Sequence, residues 1–238
     1  MVRSLAAAAR WIDGVGLALL FPKADVVLPS LWEAINGSPE QNWSVREDDG
    51  TFVGWTKELA LLWSLKDELP EQGLACVGRH LARVATCVSP QLLPTLLAAN
   101  GEPADDGEPV VEAIAALGPL TGPQLREATG LTKKEVDRSV ASLHHRLVLT
   151  SSHLVDQDGP WGALAHDLLA RKWRLPKKLP PRADARRELA SLVLAQAGEL
   201  TAADLRGALG WRLREAREVL DGMAEGRDEK GFRIWTAP

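Results

Sequence analysis

The 238-residue sequence predicts a mainly α protein with short β hairpins, an α+β class. Three observations predict it: one helical segment is stated twice, glycine and threonine punctuate both copies at the same places, and strand-forming residues follow directly behind. The first copy begins at Gly118, GPLTGPQLREATGLTKKEVDRSVASLHHRL, and the second at Gly198, GELTAADLRGALGWRLREAREVLDGM. They share residue type at Gly118/Gly198, Leu120/Leu200, Thr121/Thr201, Leu125/Leu205, Arg126/Arg206, Ala128/Ala208, Gly130/Gly210 and Glu135/Glu215.

In the first copy, Val110, Val111, Ile114 and Leu117 recur at helical spacing and stop at Gly118, read as a left-handed helix end. Thr121 is an N-cap for a short helix carrying Leu125 and Ala128, and Gly130 closes it, since a residue without a β-carbon takes a positive φ cheaply. Thr132 opens a third helix with Glu135 at capping-box spacing, and Val136, Val140, Leu143 and Leu147 form its inner face. Strand formers run from Leu147 to Ser152, and Asp156, Asp158, Gly159 and Pro160 supply a turn. The second copy repeats the plan with a helix near Arg186 to Ala197, Thr201 as cap, Gly210 at the turn, and an inner face of Leu213, Ala216, Leu220 and Met223. A turn from Gly226 to Gly231 and a strand from Phe232 to Trp235 end it. Three helices and a hairpin make a winged helix-turn-helix, so the prediction is a tandem pair of them.

Such a third helix fits the major groove of double-stranded DNA. On the outward faces lie Thr132, Lys133, Lys134, Asp137 and Arg138 in the first copy and Arg212, Arg214 and Arg217 in the second. Glu135, Glu215 and Glu218 are mixed among them, so solvated faces with ordinary helical ion pairs are the plainer alternative. A formal net charge of −4 and a pI near 5.8 argue against a generic polyanion binder. The basic residues are concentrated: Leu168 to Arg187 holds eight against one acidic, and this proline-containing connector, with Lys177 and Lys178, reads as an extended strip able to follow phosphates.

The predicted division is a tryptophan-rich domain over 1–104, a winged helix over 105–166, the basic connector over 167–183 and a winged helix over 184–238. In the first region a helix from Val2 to Ile12 leads through Asp13-Gly14 into VGLALLF, a buried strand by its continuous apolar run. LPSLWEAING is a helix with Pro29 in its first turn and Gly37 closing it, and Ser38 to Gly50 is a polar loop. Thr56 caps a helix ended by Pro70, a strand lies near Leu74 to Val77, a helix near Pro90 to Ala99, and Gly101 to Gly107 is a linker. This order is compatible with a third, degenerate winged helix or with a small α/β cap. Five of the nine tryptophans lie here, and Trp55, Trp63 and Lys66 beside Asp67 and Glu68 form a candidate pocket in which rings hold an extruded base and a carboxylate handles a water or a developing positive charge. Tryptophans in a core with charges at a helix end are the structural alternative.

Cys76 and Cys87 make no disulfide framework, and with His80 they lack the paired spacing and fourth ligand of a structural zinc site. His144 and His145 are explained by the C-terminal dipole of their helix. No cofactor or metal is expected. Without a secretory signal or a run of membrane-span length, the sequence predicts a cytoplasmic protein with no membrane partner and leaves the oligomeric state open.

Tandem winged helices behind FPKADVVLPSLWEAINGS and WSLKDELPEQGL resemble the AlkZ/YcaQ-like winged-helix family, which includes the interstrand-crosslink-repair DNA glycosylases. The resemblance implies a concave DNA-binding surface and, in the glycosylases, hydrolysis of the N-glycosidic bond of alkylated or crosslinked bases at a Gln-x-Gln motif. No two of Gln41, Gln72, Gln91, Gln124, Gln157 and Gln196 stand two apart, and Asp156-Gln157-Asp158 reads as a turn in the predicted wing. Fold and DNA binding are therefore carried over and catalytic residues are not. A divergent glycosylase using Asp67 or Glu68 and a protein-interaction scaffold are the alternatives.

Overall fold

Three times along the chain a helix is followed by a short strand position, two helices and a β hairpin. The computed structural model describes residues 1–155 and 163–221, with the backbone of 225–227 and 233–236. The first unit runs α1 (Leu5–Val15), β1 (Leu17–Leu19), α2 (Leu31–Asn36), α3 (Lys57–Glu71), β4 (Cys76–Leu81) and β5 (Val84–Val88), with an extra hairpin, β2 (Ser44–Arg46) and β3 (Phe52–Trp55), between α2 and α3. After α4 (Leu93–Asn100), the second unit runs α5 (Pro109–Leu117), α6 (Gly122–Thr129), α7 (Lys133–His145), β6 (Leu149–Val155) and β7 (Ala163–Leu168). After α8 (Leu169–Lys172), the third runs α9 (Arg182–Ala197), β8 (Glu199–Leu200), α10 (Ala202–Leu209), α11 (Leu213–Leu220), β9 (Glu225–Arg227) and β10 (Arg233–Thr236).

The strand that follows each unit's first helix pairs with the last strand of its hairpin. The sheet orders are β1-β5-β4 and β8-β10-β9, and in the second unit a single bridge, Leu120 to His166, takes the strand's place beside the β6-β7 ladder. These sheets are small and antiparallel, so the class is α+β. No helix among the described residues is long and apolar enough to cross a membrane.

Local chemistry sets the helix starts. Thr121 accepts from Gln124 N and Thr201 from Asp204 N, each in a reciprocal capping box, and Gly130 and Gly210 end these helices in the left-handed region. Thr132 and Glu135 form another box. Gly118 does end α5, but at φ 99° and ψ −164°, which is not the left-handed helical geometry expected. Other expectations also shift. α1 is capped by Ser4 and runs through Asp13 and Gly14 to stop at Gly16. Pro29 lies outside α2, whose cap is Ser30, and α3 includes Pro70 and ends at Glu71. The supposed polar loop 38–50 holds β2, and the strand placed at Leu74 to Val77 begins at Cys76 and runs to Leu81. The connector is extended only between α8 and α9, which starts at Arg182. Asp156 to Pro160, Met223 and Phe232 lie outside the described residues.

The β1-β5-β4 sheet is covered on both faces, which explains the continuous apolar run in its first strand. Val77 and Cys87 face α1, α2 and α3 around the fully buried Trp32. Cys76, Leu81, Val88, Leu17 and Leu19 face the other way, into a cluster shared with α4 and the third unit. Replacing a core ring such as Trp32 by alanine costs about 3–5 kcal/mol. The third unit is moored at the end of α4: Asn100 Nδ2 donates to Leu209 O at 2.9 Å, Trp211 Nε1 donates to Asn100 Oδ1 at 2.6 Å, and Arg182 Nε donates to Ala99 O at 3.0 Å. The second unit has its own core, with Val110, Ile114, Leu125, Val136, Leu143 and Leu149.

Candidate nucleic-acid interface

Two concavities flank α3, and two helices carry exposed basic residues. The first concavity is an apolar groove of about 650 Å³, walled by Phe21, Trp43, Trp55, Leu59, Ala60 and Trp63, with Ser64 and Asp67 as its polar edge. The β2-β3 hairpin makes it possible. Asp49 Oδ1 accepts from Thr51 N at 2.9 Å, Gly50 takes φ 87°, and the return strand lays Trp55 beside α3. Trp43, Trp55 and Trp63 are 41%, 51% and 40% exposed, so these rings are surface and not core. Phe21 packs on Trp43 with centroids 5.5 Å apart. Its volume lies in the range of small-molecule pockets, and its aromatic walls suit a ligand with a flat ring.

The candidate carboxylates differ in place. Asp67 lines the groove and accepts from Lys66 Nζ at 2.5 Å, while Lys66 also sits 4.8 Å over the Trp63 ring. Glu68 accepts from the Ser64 hydroxyl one turn back. A cation held against Asp67 offsets the negative potential that a carboxylate would offer to a developing positive charge.

The second concavity, about 500 Å³, lies between the first and second units. Lys66 of α3 and Arg79 of β4 line one side, and the flank of α7 formed by Lys133, Asp137, Val140, Ala141 and His144 lines the other, with Ser151 and His166 from β6 and β7. Lys133 is paired to Asp137 at 2.7 Å. Beneath it runs a buried chain of imidazoles. His80 Nδ1 donates to His144 O at 2.8 Å, so its Nε2 accepts from the Cys76 thiol at 3.4 Å. His144 Nε2 meets His166 Nδ1 at 3.0 Å, while His144 Nδ1 is buried without a partner. Because an unmet N–H costs more than an unmet lone pair, the proton of His144 belongs on Nε2, donated to His166, which leaves His166 its Nε2–H. Burial, with Arg79 nearby, pushes His166 down to about 4, burial pushes His80 to about 4, and burial with its imidazole neighbours holds His144 well below its ordinary value. A helix dipole would do the opposite, so the dipole explanation of His144 is wrong: the ring is a neutral packing element. Gly78 makes room for it, since a β-carbon there would stand 2.4 Å from His144 Nδ1 and 2.5 Å from His80 Nε2.

Of the other sequence candidates, Lys134 and Arg138 are exposed on α7, and Thr132 is spent on its cap. Arg212 is exposed at the start of α11 and lines a polar depression with His145, Arg146, Arg182 and Arg186. Arg214 pairs with Glu218 at 2.7 Å, Arg217 is exposed, and Lys177 and Lys178 are exposed on the connector. The sequence reading missed Phe21 and Trp43 in the groove and Arg79, Ser151 and His166 in the cleft. The alternation in WSVRE and TFVGW around Asp48-Asp49-Gly50 is the hairpin signal that would have brought Trp43 to the end of the ladder, next to the Ser44–Trp55 pair.

A family model described as DNA glycosylase AlkZ-like matches residues 72–237. No curated protein and no solved structure is significantly similar to the chain. The match takes in β4, β5 and everything after them, whereas the aromatic groove is built from residues ahead of it.

Proposed function

Because the chain belongs to the DNA glycosylase AlkZ-like family, we propose that it is a DNA-binding protein whose three recurring units are winged helices. The observation that carries this reading is the exposed basic surface on the last helix of two units, Lys134 and Arg138 on α7 and Arg212 and Arg217 on α11. Lys177 and Lys178 on the connector add a strip of the same sign between them in the chain. Charge placed this way serves phosphate contact despite a formal net charge of −4. Double-stranded DNA is the partner. The protein acts without the Gln-x-Gln chemistry of the family's glycosylases.

A second reading, release of an alkylated or crosslinked base, draws on the tryptophan-walled groove with Asp67 at its edge. The Lys66 ammonium on Asp67 favours binding over hydrolysis. One experiment separates the readings. Binding to intact and alkylated duplex is followed across a salt series, and the same samples are assayed for released base. Salt-dependent binding without release is expected, and glutamate at Lys134, Arg138, Arg212 and Arg217 should abolish it. Base release that is lost in Asp67→Asn would make the protein a glycosylase. Absence of binding at any salt would make the units a scaffold for a protein partner.

A further inference from the structure

We infer that the cleft between β4 and α7 is a phosphate-binding site, in which Lys66, Arg79 and Lys133 supply the charge and His166 an uncharged donor. Three cations reach one cavity of about 500 Å³ from three different elements; Lys133 is paired to Asp137 and Lys66 to Asp67, and Arg79 makes no ion pair among the described residues. Three cations against two carboxylates leave the cavity with one excess positive charge, carried by the Arg79 guanidinium. A bound dianion reverses that sign, and charge-assisted hydrogen bonds to phosphate oxygens are the strong ones.

The floor suits the same ligand. The imidazole chain leaves His166 with its Nε2–H as a remaining donor, and Ser151 adds a hydroxyl. Neutral donors beside ammonium and guanidinium groups complement an oxygen-rich anion and would serve a metal cation poorly. Among the described residues no cluster of three metal-ligating side chains exists to compete for that role. The depressed affinity of His166 for protons follows partly from Arg79, and an anion seated between them would relieve it.

A phosphate in this place has two sources, the backbone of bound DNA or a free phosphate monoester. Only the first rests on the DNA-binding reading. Inorganic phosphate is therefore titrated first, by calorimetry and by the imidazole resonances of the intact protein. Saturable binding at one site is expected, together with an upward shift of the His166 pKa. Arg79→Gln and Lys133→Gln should each weaken it about tenfold, the loss of one charge-assisted contact, while Arg126→Gln on the exposed surface of α6 should leave it unchanged. Absence of saturable binding, or an equal loss in Arg126→Gln, overturns the site.

The second arm measures duplex. If the phosphate is DNA's, inorganic phosphate competes with duplex, and Arg79→Gln lowers the salt slope by about one. If phosphate binds but duplex affinity ignores Arg79→Gln, the site stands with a free phosphate monoester as its ligand. If phosphate binds and duplex does not bind at all, the DNA-binding reading fails and the site survives it.

Discussion

The last helices of the second and third units follow one sequence pattern and end in different surroundings. α7 turns a flank from Lys133 to His144 toward the first unit, and its final turn is sealed against β4 by His80 and Gly78. α11 packs chiefly on α9 and α10 of its own unit and keeps its arginines on the surface. At the matched start position α7 has Thr132, which both accepts from and donates to Glu135 in a closed capping box. α11 has Arg212 there, whose guanidinium carries no acceptor, so only the reverse half of the box exists, with Glu215 accepting from Arg212 N at 2.9 Å. A duplicated frame therefore does not have a duplicated role. α7 is half joint and half surface, while α11 gives up part of its cap for a cation at its exposed end.

The largest test of this contrast is acid. His80 and His166 have folded-state pKa values pushed down to about 4, and His144 is lower than its ordinary value as well. Above the unfolded value near 6.5 both states are neutral and the joint is at full strength. As pH falls from about 6.5 toward 4, the unfolded chain takes up protons that the folded chain refuses, and stability drops by roughly 1.4 kcal/mol per pKa unit of difference for each ring. Urea midpoints across that window should fall steeply, and His166→Gln should flatten them. A level profile would mean that the imidazoles are wet and the joint is open.

Next in size is a steric comparison. Gly78→Ala forces a methyl group into two imidazoles and should cost about 3 kcal/mol, at the upper end for overpacking. Gly210→Ala, at φ 76° in the turn before α11 and 3.2 Å from His145, should cost about 1 kcal/mol. Equal midpoints for the two variants in denaturant would show that α7 is no more tightly held than α11.

The smallest effect sharpens the cap difference. Arg212→Thr completes the box on α11 and should stabilise the protein by about 1 kcal/mol while weakening duplex binding, measured by thermal melting and by the salt series on one preparation. A gain in stability with unchanged DNA affinity would remove Arg212 from the interface.

The sequence disclosed the second and third units because caps are local. Thr121, Gly130, Thr132, Thr201 and Gly210 act within one turn of themselves, and the structure uses each as its neighbours dictate. The first unit was legible only as one of two alternatives, a degenerate winged helix or a small α/β cap, for two physical reasons. The β2-β3 hairpin separates α2 from α3, so the helix pair is not contiguous in the chain. The turn between β4 and β5 is made by Ala82 and Arg83 at φ 50° and 58°, a conformation that Asn and Gly normally announce and these residues do not. The groove was partly legible, since Trp55, Trp63 and Asp67 were picked out by composition and stand together. The cleft was not. It forms only when β4 of one unit meets α7 of the next, and no spacing along the chain carries that meeting.

Gly78, finally, has a bearing on descent. Its missing side chain is the space that two rings from different units occupy, so side-chain size at positions 78, 80 and 144 is sterically coupled. A lineage that gained a side chain at Gly78 would have to surrender the rings at His80 and His144 in the same step or reposition the first two units. Any relative with a larger residue at position 78 is therefore expected to carry smaller ones at positions 80 and 144.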